Sequence, residues 1–284
     1  MPVAEVRPLE PRDIDPVHHV FTAAFQDLGR RLGERDRPPG PIAASRVRVV
    51  HCLATDPGGA WVAERGGEVV GCALAIVRDG VWGLSLLAVR PDAQSGGTGR
   101  ALLERAYAYG NGARGRIVLA SRDPRALRAY ARLGLALHPA IAARGHARAV
   151  APPEVRRGGH ADLPLTVAVD RAVRGAAHGE DIVAMLEIGG ELLVLPDRGY
   201  AVVRDGTVRL LAAFDEEAAI TLVRACLAAA GPHEASVEWI TSSQNWAIVP
   251  CLDAGLELRN DVGAVFLAGD VGPFGPYLPS GAYL

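Results

Sequence analysis

The segment Gln94-Ser95-Gly96-Gly97-Thr98-Gly99 puts three glycines in six residues, between the apolar run Leu86-Leu87-Ala88-Val89 and a helical periodicity that starts near Arg100. A glycine-rich turn that opens a helix leaves several amide N–H groups unpaired at the positive end of the helix dipole. Such a site holds anions, and a run of this length suits a pyrophosphate. A mere turn needs one glycine there. A P-loop would require lysine after the last glycine, yet Arg100 follows Gly99 and the chain has no lysine. A dinucleotide fold would require GxGxxG and an acid closing the next strand, where the sequence has Gly97-Thr98-Gly99-Arg100 and Ala120-Ser121. All 30 basic side chains are arginine, which favours forked anion contacts and removes Schiff-base chemistry.

The elements that must position this loop follow from apolar spacing. A short strand is predicted over Val3–Pro8, a helix over Asp13–Leu28 with Ile14, Val17, Phe21 and Phe25 on one face, and a second helix over Ile42–Leu53. Strands follow at Trp61–Glu64, Glu68–Arg78 and Val81–Val89, the last two joined by Asp79-Gly80, a hairpin turn pair. Beyond the loop come a helix over Arg100–Tyr109, a strand over Arg116–Ala120, a helix opened by Asp123-Pro124 and closed near Gly134, and a final strand pair. The predicted order is βααβββαβαββ.

Between Val150 and Pro164 the sequence is rich in proline, glycine and charge, which marks a linker over 151–164. A second series follows: a helix around His178–Leu186, strands Glu191–Leu195, Gly199–Arg204 and Thr207–Ala213, a helix Glu216–Ala229, a strand Ala235–Thr241, a helix Asn245–Ala254 and a strand Gly263–Gly269. YAVVRDGTVRLLA in this half resembles CALAIVRDGVWGLSLLA in the first, and CLDAGLEL resembles YARLGLAL. An internal duplication accounts for both. Where the first half has VRPDAQSGGTGRALLERA, the second has AFDEEAAITLVRACLAA, without the glycine-rich loop.

The loop, with Gln94, Gly97 and Gly99 filling Arg/Gln-x-x-Gly-x-Gly/Ala, resembles the signature of the GNAT superfamily of N-acetyltransferases. LLAVRP before it and DPRALRAYARLGLAL after it, with Ala126, Tyr130 and Gly134 at the family's offsets, extend the resemblance over about residues 3–145. Asp123 and Leu135 depart mildly from the family's Asn and Phe; over 165–284 the resemblance rests mainly on the repeat. The implied fold is α+β: two tandem acyl-CoA N-acyltransferase units, each a mixed, mostly antiparallel sheet flanked by helices, in domains 1–150 and 165–284, the second degenerate. In the first, the resemblance implies that strands four and five splay apart and that acetyl-CoA lies between them. Its pantetheine would pair with the main chain of Leu87, Ala88 and Val89. The amides of Gln94, Ser95, Gly96, Gly97, Thr98, Gly99 and Arg100 would hold its pyrophosphate, with Asp123 and Ala126 on the later motif also at the cofactor. No metal is called for.

In the reaction the family supports, an amine attacks the thioester directly and the departing thiolate takes a proton. Tyr130, at the family's tyrosine position, is the expected acid. A base is harder to name, because the strand VWGLSLLAV has no carboxylate where many relatives carry Glu. The candidates are water through Ser85, one of His18, His19 or His51, and the terminal carboxylate on Leu284. The last follows from the apolar, proline-stiffened tail PFGPYLPSGAYL and from tandem relatives in which a C-terminal carboxylate reaches the N-terminal active site. The expected function is acetyl transfer to a small-molecule amine. The alternatives are a non-catalytic acetyl-CoA-binding sensor or interaction protein and, within the family, a mycothiol-synthase-like acyltransferase.

Charge and composition set the outer bounds. With 30 basic and 32 acidic side chains in 284 residues and no basic run longer than a pair, nucleic acid is not an expected partner. No apolar run approaches the ~20 residues a bilayer requires, and the start lacks the pattern of an export signal, so a cytoplasmic protein without membrane contact is expected, as monomer or homodimer. Cys52, Cys72, Cys226 and Cys251 form no metal or redox motif and are expected as reduced, buried thiols. His138, His146, His160, His178 and His233 show no metal-ligand spacing and are expected as surface or core residues, with Arg156-Arg157 as solvated linker.

Overall fold

A computed structural model describes residues 4–33 and 42–284, which pack as two compact units: one up to Val77 and over Trp82–Ala113, the other over Arg78–Val81 and Arg114–Leu284. Val3, the first residue of the first predicted strand, lies outside the described residues.

In the first unit, β1 (Glu5–Pro8) is followed by α1 (Ile14–Arg31), α2 (Ile42–Thr55), β2 (Ala60–Arg65), β3 (Glu68–Arg78), β4 (Val81–Val89) and α3 (Thr98–Tyr109). The sheet runs β1-β2-β3-β4, with β1–β2 and β2–β3 antiparallel. Asp79 and Gly80, at φ +44° and +79°, both take the left-handed conformation that a two-residue hairpin turn demands. Helix α3 packs on β2 and sits tightly over β3: a Cβ on Gly71 would lie 2.8 Å from Leu102 Cδ1. The buried Trp82 donates its ring N–H to the Ala106 carbonyl at 2.9 Å, and Tyr107 stands edge-on to its ring. At the opposite corner, Asp56 Oδ1 accepts from the Val77 amide at 2.9 Å and the Tyr109 hydroxyl at 3.0 Å. These contacts fix the strands that lead into the loop.

The second unit begins with β5 (Gly115–Ala120), α4 (Pro124–Arg132) and β6 (Ala136–Gly145). It continues with β7 (Arg156–Arg157), α5 (Leu163–Val173), α6 (Glu180–Glu187), β8 (Glu191–Leu195), β9 (Gly199–Arg204), β10 (Thr207–Ala213), α7 (Glu216–Ala229), β11 (Ala235–Ile240), α8 (Ile248–Asp253), β12 (Glu257–Gly269) and β13 (Tyr277–Leu278). Its strands run β5-β12-β6-β11-β10-β9-β8-β7, with β13 beside β10. Arg156-Arg157, expected as linker, is exposed and pairs with Leu193 and Val194.

Chain order thus repeats from β1–β6 to β7–β12, down to Asp205 and Gly206 at φ +51° and +73° in the matching turn. One expectation is corrected. The first half does not end in a strand pair: only β6 follows α4, and its neighbour is β12, which runs antiparallel to both β5 and β6, while β6 also pairs with β11. The last strands of the two halves are therefore exchanged. After Gly145 the chain soon meets Pro152-Pro153, which cannot donate to a ladder, so β6 has no local partner. Gly263 makes the insertion of β12 possible. Its register shifts between Arg259 and Gly263, where φ is +133° and a Cβ would lie 2.0 Å from the Ala120 carbonyl oxygen.

Helix α7 covers β8–β10, with Leu222, Val223 and Cys226 against Leu193, Ala201 and Leu211. All four cysteines are buried thiols outside any disulfide, and burial pushes the Cys72, Cys226 and Cys251 thiols up to about 12. Among the described residues no helix is long and apolar enough to cross a membrane.

Candidate functional site

Strand β4 ends at Val89, and Pro91–Ala93 form a single 3-10 turn before the glycines. The approach is stiffened by charge: Arg90 bonds Asp92 at 2.6 Å and Glu68 at 3.0 Å, and Arg65 bonds Asp92 at 2.7 Å. Gln94 turns its side-chain amide back to the Val89 carbonyl at 2.8 Å, so this side chain seals the end of the strand. Ser95 and Gly97 then take φ +67° and +84°. Gly97 stands at the N-cap of α3, and no side chain caps it. The first helical bond is Ala101 N–H to the Gly97 carbonyl at 3.0 Å, so the amides of Thr98, Gly99 and Arg100 precede any intrahelical acceptor.

A Cβ built on Gly96 or Gly97 meets nothing within 4 Å, and Ser95, Gly96 and Gly97 are exposed. The turn is thus an open, positively polarised cradle whose N–H groups await acceptors. The residues fit a pyrophosphate by this observation. Arg100 pairs with Glu104 at 2.7 Å and Arg90 with two acids, so amides and dipole rather than fixed cations supply the attraction.

On β4, Ala88 is buried and Leu87 and Val89 are half-buried. Ser85, the proposed relay for water, has its Oγ held by Arg48 Nε at 2.9 Å, and Arg48 also donates to the Ser85 carbonyl. His18 packs in the α1–α2 interface with Nδ1 2.6 Å from Ser45 Oγ, and burial, then the charge of His19, holds its pKa below the usual imidazole value. His19 is exposed and His51 half-buried.

In the second unit, Asp123 caps α4. It accepts the Arg125 amide at 2.9 Å and the Arg125 guanidinium at 2.7 Å. Ala126 lies half-buried one turn along, and Tyr130 follows on the buried side with its ring edge-on to Phe266, centroids 5.6 Å apart. Only 5% of Tyr130 is exposed. Burial, then the Asp123 carboxylate, raises its pKa well above that of a free phenol. This phenol stays protonated at neutral pH, the state required of an acid.

Leu284 is fully buried in the second unit, where its main-chain oxygen accepts from His178 Nε2 at 2.7 Å and from the Tyr277 hydroxyl at 2.7 Å. Sequence reasoning missed the rest of this cluster. Asp170 Oδ2 bonds His178 Nδ1 at 2.9 Å, the Tyr200 hydroxyl donates to Asp170 Oδ1 at 2.5 Å, and Arg174 lies buried beside them. Asp170, Arg174 and His178 are near in sequence, but Tyr200, Tyr277 and Leu284 are far from them, so no spacing could have flagged the cluster as a whole.

The profile of the acetyltransferase (GNAT) family matches residues 21–135. Among solved structures, a candidate acetyltransferase from Pyrococcus horikoshii aligns over 100% of this chain and 97% of its own, with TM-score 0.81 at 17% identity. A tandem GNAT protein from the clavulanic acid biosynthesis pathway aligns over 94% and 98%, with TM-score 0.58 at 18% identity. A GCN5-related N-acetyltransferase from Sphaerobacter thermophilus aligns over 93% and 94%, with TM-score 0.57 at 15% identity. No curated protein matches by sequence. At these identities the structural likeness speaks to fold, and the profile speaks to the segment that contains the loop. Residues 21–135 carry a GNAT acetyltransferase domain, in a chain that has the fold of tandem GNAT proteins.

Proposed function

We propose that the chain transfers an acetyl group from acetyl-CoA to the amine of a small molecule, with the donor bound by the first of two tandem domains, 1–150 and 165–284, joined by 151–164. The observation that carries this reading is the open cradle at Gly96-Gly97, whose amides have the polarity and room for a pyrophosphate. The Leu87–Val89 main chain holds the pantetheine by strand addition.

Acetyl-CoA supplies a thioester carbonyl that an unprotonated amine attacks, with C–N formation and C–S cleavage. The chain's own part is to orient and to move protons. Tyr130 keeps a proton on its hydroxyl at neutral pH and gives it to the departing thiolate. The amine's proton leaves to water in this reading, because the Leu284 oxygen already accepts two hydrogen bonds inside the second half and Ser85 Oγ is held by Arg48. The near-balance of charge favours a small acceptor over a polyion.

The absence of a carboxylate on β4 favours a second reading, a non-catalytic acetyl-CoA sensor. Calorimetric titration of acetyl-CoA combined with an amine screen decides between them. One site per chain with turnover supports transfer, one site without turnover on any amine supports the sensor, and no binding sinks both.

A further inference from the structure

The second half lacks the glycine loop, and the chain itself fills the two places in it that correspond to the helix start and the strand of the first half's donor site. At the start of α7, Asp215 caps the helix and accepts the Ala218 amide at 2.8 Å, with Glu216 and Glu217 in the first turn. A carboxylate therefore sits where α3 offers bare amides. The strand edge is filled too. The repeated Leu-Leu-Ala after each Asp-Gly turn aligns Leu211, Ala212 and Ala213 with Leu87, Ala88 and Val89. Strands β10 and β11 are parallel and register only at Thr207↔Ser236, beyond which they part. Into that gap comes β13, antiparallel to β10 at Leu211↔Leu278 and Ala212↔Tyr277 and in contact with β11.

We propose that the tail, residues 274–284, is an internal peptide ligand of the second half, seated by strand addition in the groove that repeats the donor groove of the first, and that it restricts the chain to one acyl-CoA. The seating is specific. Ala213 donates to the Pro276 carbonyl at 3.1 Å and Phe274 to the Val173 carbonyl at 2.7 Å, while Gln244 Nε2 donates to the Phe274 carbonyl at 2.9 Å. Tyr277, Leu278, Tyr283 and Leu284 are each at most 2% exposed. The Asp170–His178 pair and the Tyr277 hydroxyl clamp the last residue. Backbone pairing supplies the attachment and the buried rings supply the register, as in peptide recognition at a sheet edge.

Native-state hydrogen exchange on the full chain tests this without any reading of activity. Tyr277→Phe removes the hydroxyl donated to Leu284 and leaves the ring. The expected result is roughly tenfold faster exchange at the Ala213 and Phe274 amides, the scale of one buried hydrogen bond, with the Leu222 amide inside α7 unchanged. Saturating acetyl-CoA added to the wild type leaves the Ala213 and Phe274 rates within twofold, and one equivalent titrates. Equal acceleration at Leu222 would show that the tail is ordinary core rather than a seated ligand, and unprotected tail amides in the wild type would show no seating at all. A second equivalent of acetyl-CoA that speeds the tail amides would overturn the one-site claim. If acetyl-CoA fails to bind altogether, the transfer reading falls while the Tyr277→Phe comparison still decides the tail.

Discussion

Gly96→Glu is the most direct probe of the cradle. Gly97 is a poor choice, since its φ of +84° would strain any side chain and mix folding with binding. Gly96 has no such φ, and a Cβ there meets nothing within 4 Å. With a pyrophosphate on these amides, a carboxylate at that position would stand roughly 5–7 Å from its charges. At an effective dielectric of 20 each unit-charge pair would cost about 2–3 kcal/mol, and at the exposed rim, nearer to water, well under 1 kcal/mol. For two phosphate charges a net of about 2–3 kcal/mol follows, or roughly 30- to 150-fold weaker acetyl-CoA binding. Gly96→Gln carries the same bulk without the charge and is expected within about fivefold of the wild type. The Glu–Gln difference should shrink in 1 M salt, where the Debye length is ~3 Å. The unliganded Glu variant should lose no thermal stability, because an acid beside the first turn of α3 complements its dipole. Isothermal titration of the three proteins at two salt concentrations gives the answer; Glu and Gln binding equally, or Glu binding as the wild type does, would remove the pyrophosphate from this loop.

Tyr130→Phe should leave acetyl-CoA binding and the melting temperature nearly unchanged, since the ring stays packed edge-on to Phe266, yet slow turnover by about 10²-fold or more in steady-state assays. Asp123→Asn keeps an N-cap acceptor but removes the charge that raises the Tyr130 pKa, so the phenol's ultraviolet titration should move to lower pH. Gly263→Ala drives a Cβ to 2.0 Å from the Ala120 carbonyl at positive φ and should cost about 2–4 kcal/mol in chemical denaturation. At Asp13, burial alone would raise the carboxyl pKa, but the bond to Arg7, the Glu10 amide and the Arg7 charge outweigh it and hold it below the usual range. Its contribution to stability is thus present above pH ~4 and lost as pH falls through the lower folded value; Asp13→Asn should flatten the acid limb of an unfolding curve there.

What the sequence revealed was local. Glu68–Arg78, Val81–Val89 and Thr207–Ala213 form as predicted because apolar alternation and an Asp-Gly turn determine a hairpin without help from distant residues. The loop was equally legible: glycine spacing before a helical run dictates open amides whatever surrounds them. Partnership was not legible. Nothing in Ala136–Gly145 or Glu257–Gly269 says that each pairs with the other half's strand, because a period of two specifies faces and leaves neighbours open. Helix α5 escaped notice because Leu-Pro-Leu-Thr-Val-Ala-Val offers β-branched residues where a helix forms, and its Pro164 is tolerated only in the first turn. The two-residue β13 escaped for a plainer reason, since Tyr277-Leu278 is too short to carry any period.

The contrast between the halves bears on function through unmet hydrogen bonds. A helix start and a strand edge both carry polar groups that a folded chain must satisfy or leave to solvent. In the second half these groups are met from within, by Asp215 at the start of α7 and by the tail along β10, and neither solution needs glycine. In the first half Gly97 occupies the cap position, offers no side chain, and stands beside a glycine with open space above it. Glycine in place of a Ser or Asp cap costs roughly a few tenths of a kcal/mol. The same scaffold closes the equivalent position in its other copy with an aspartate, so closure is structurally available here. Leaving it open sacrifices stability that only a ligand restores, which is why this loop, among the described residues, is the place to look for an anion.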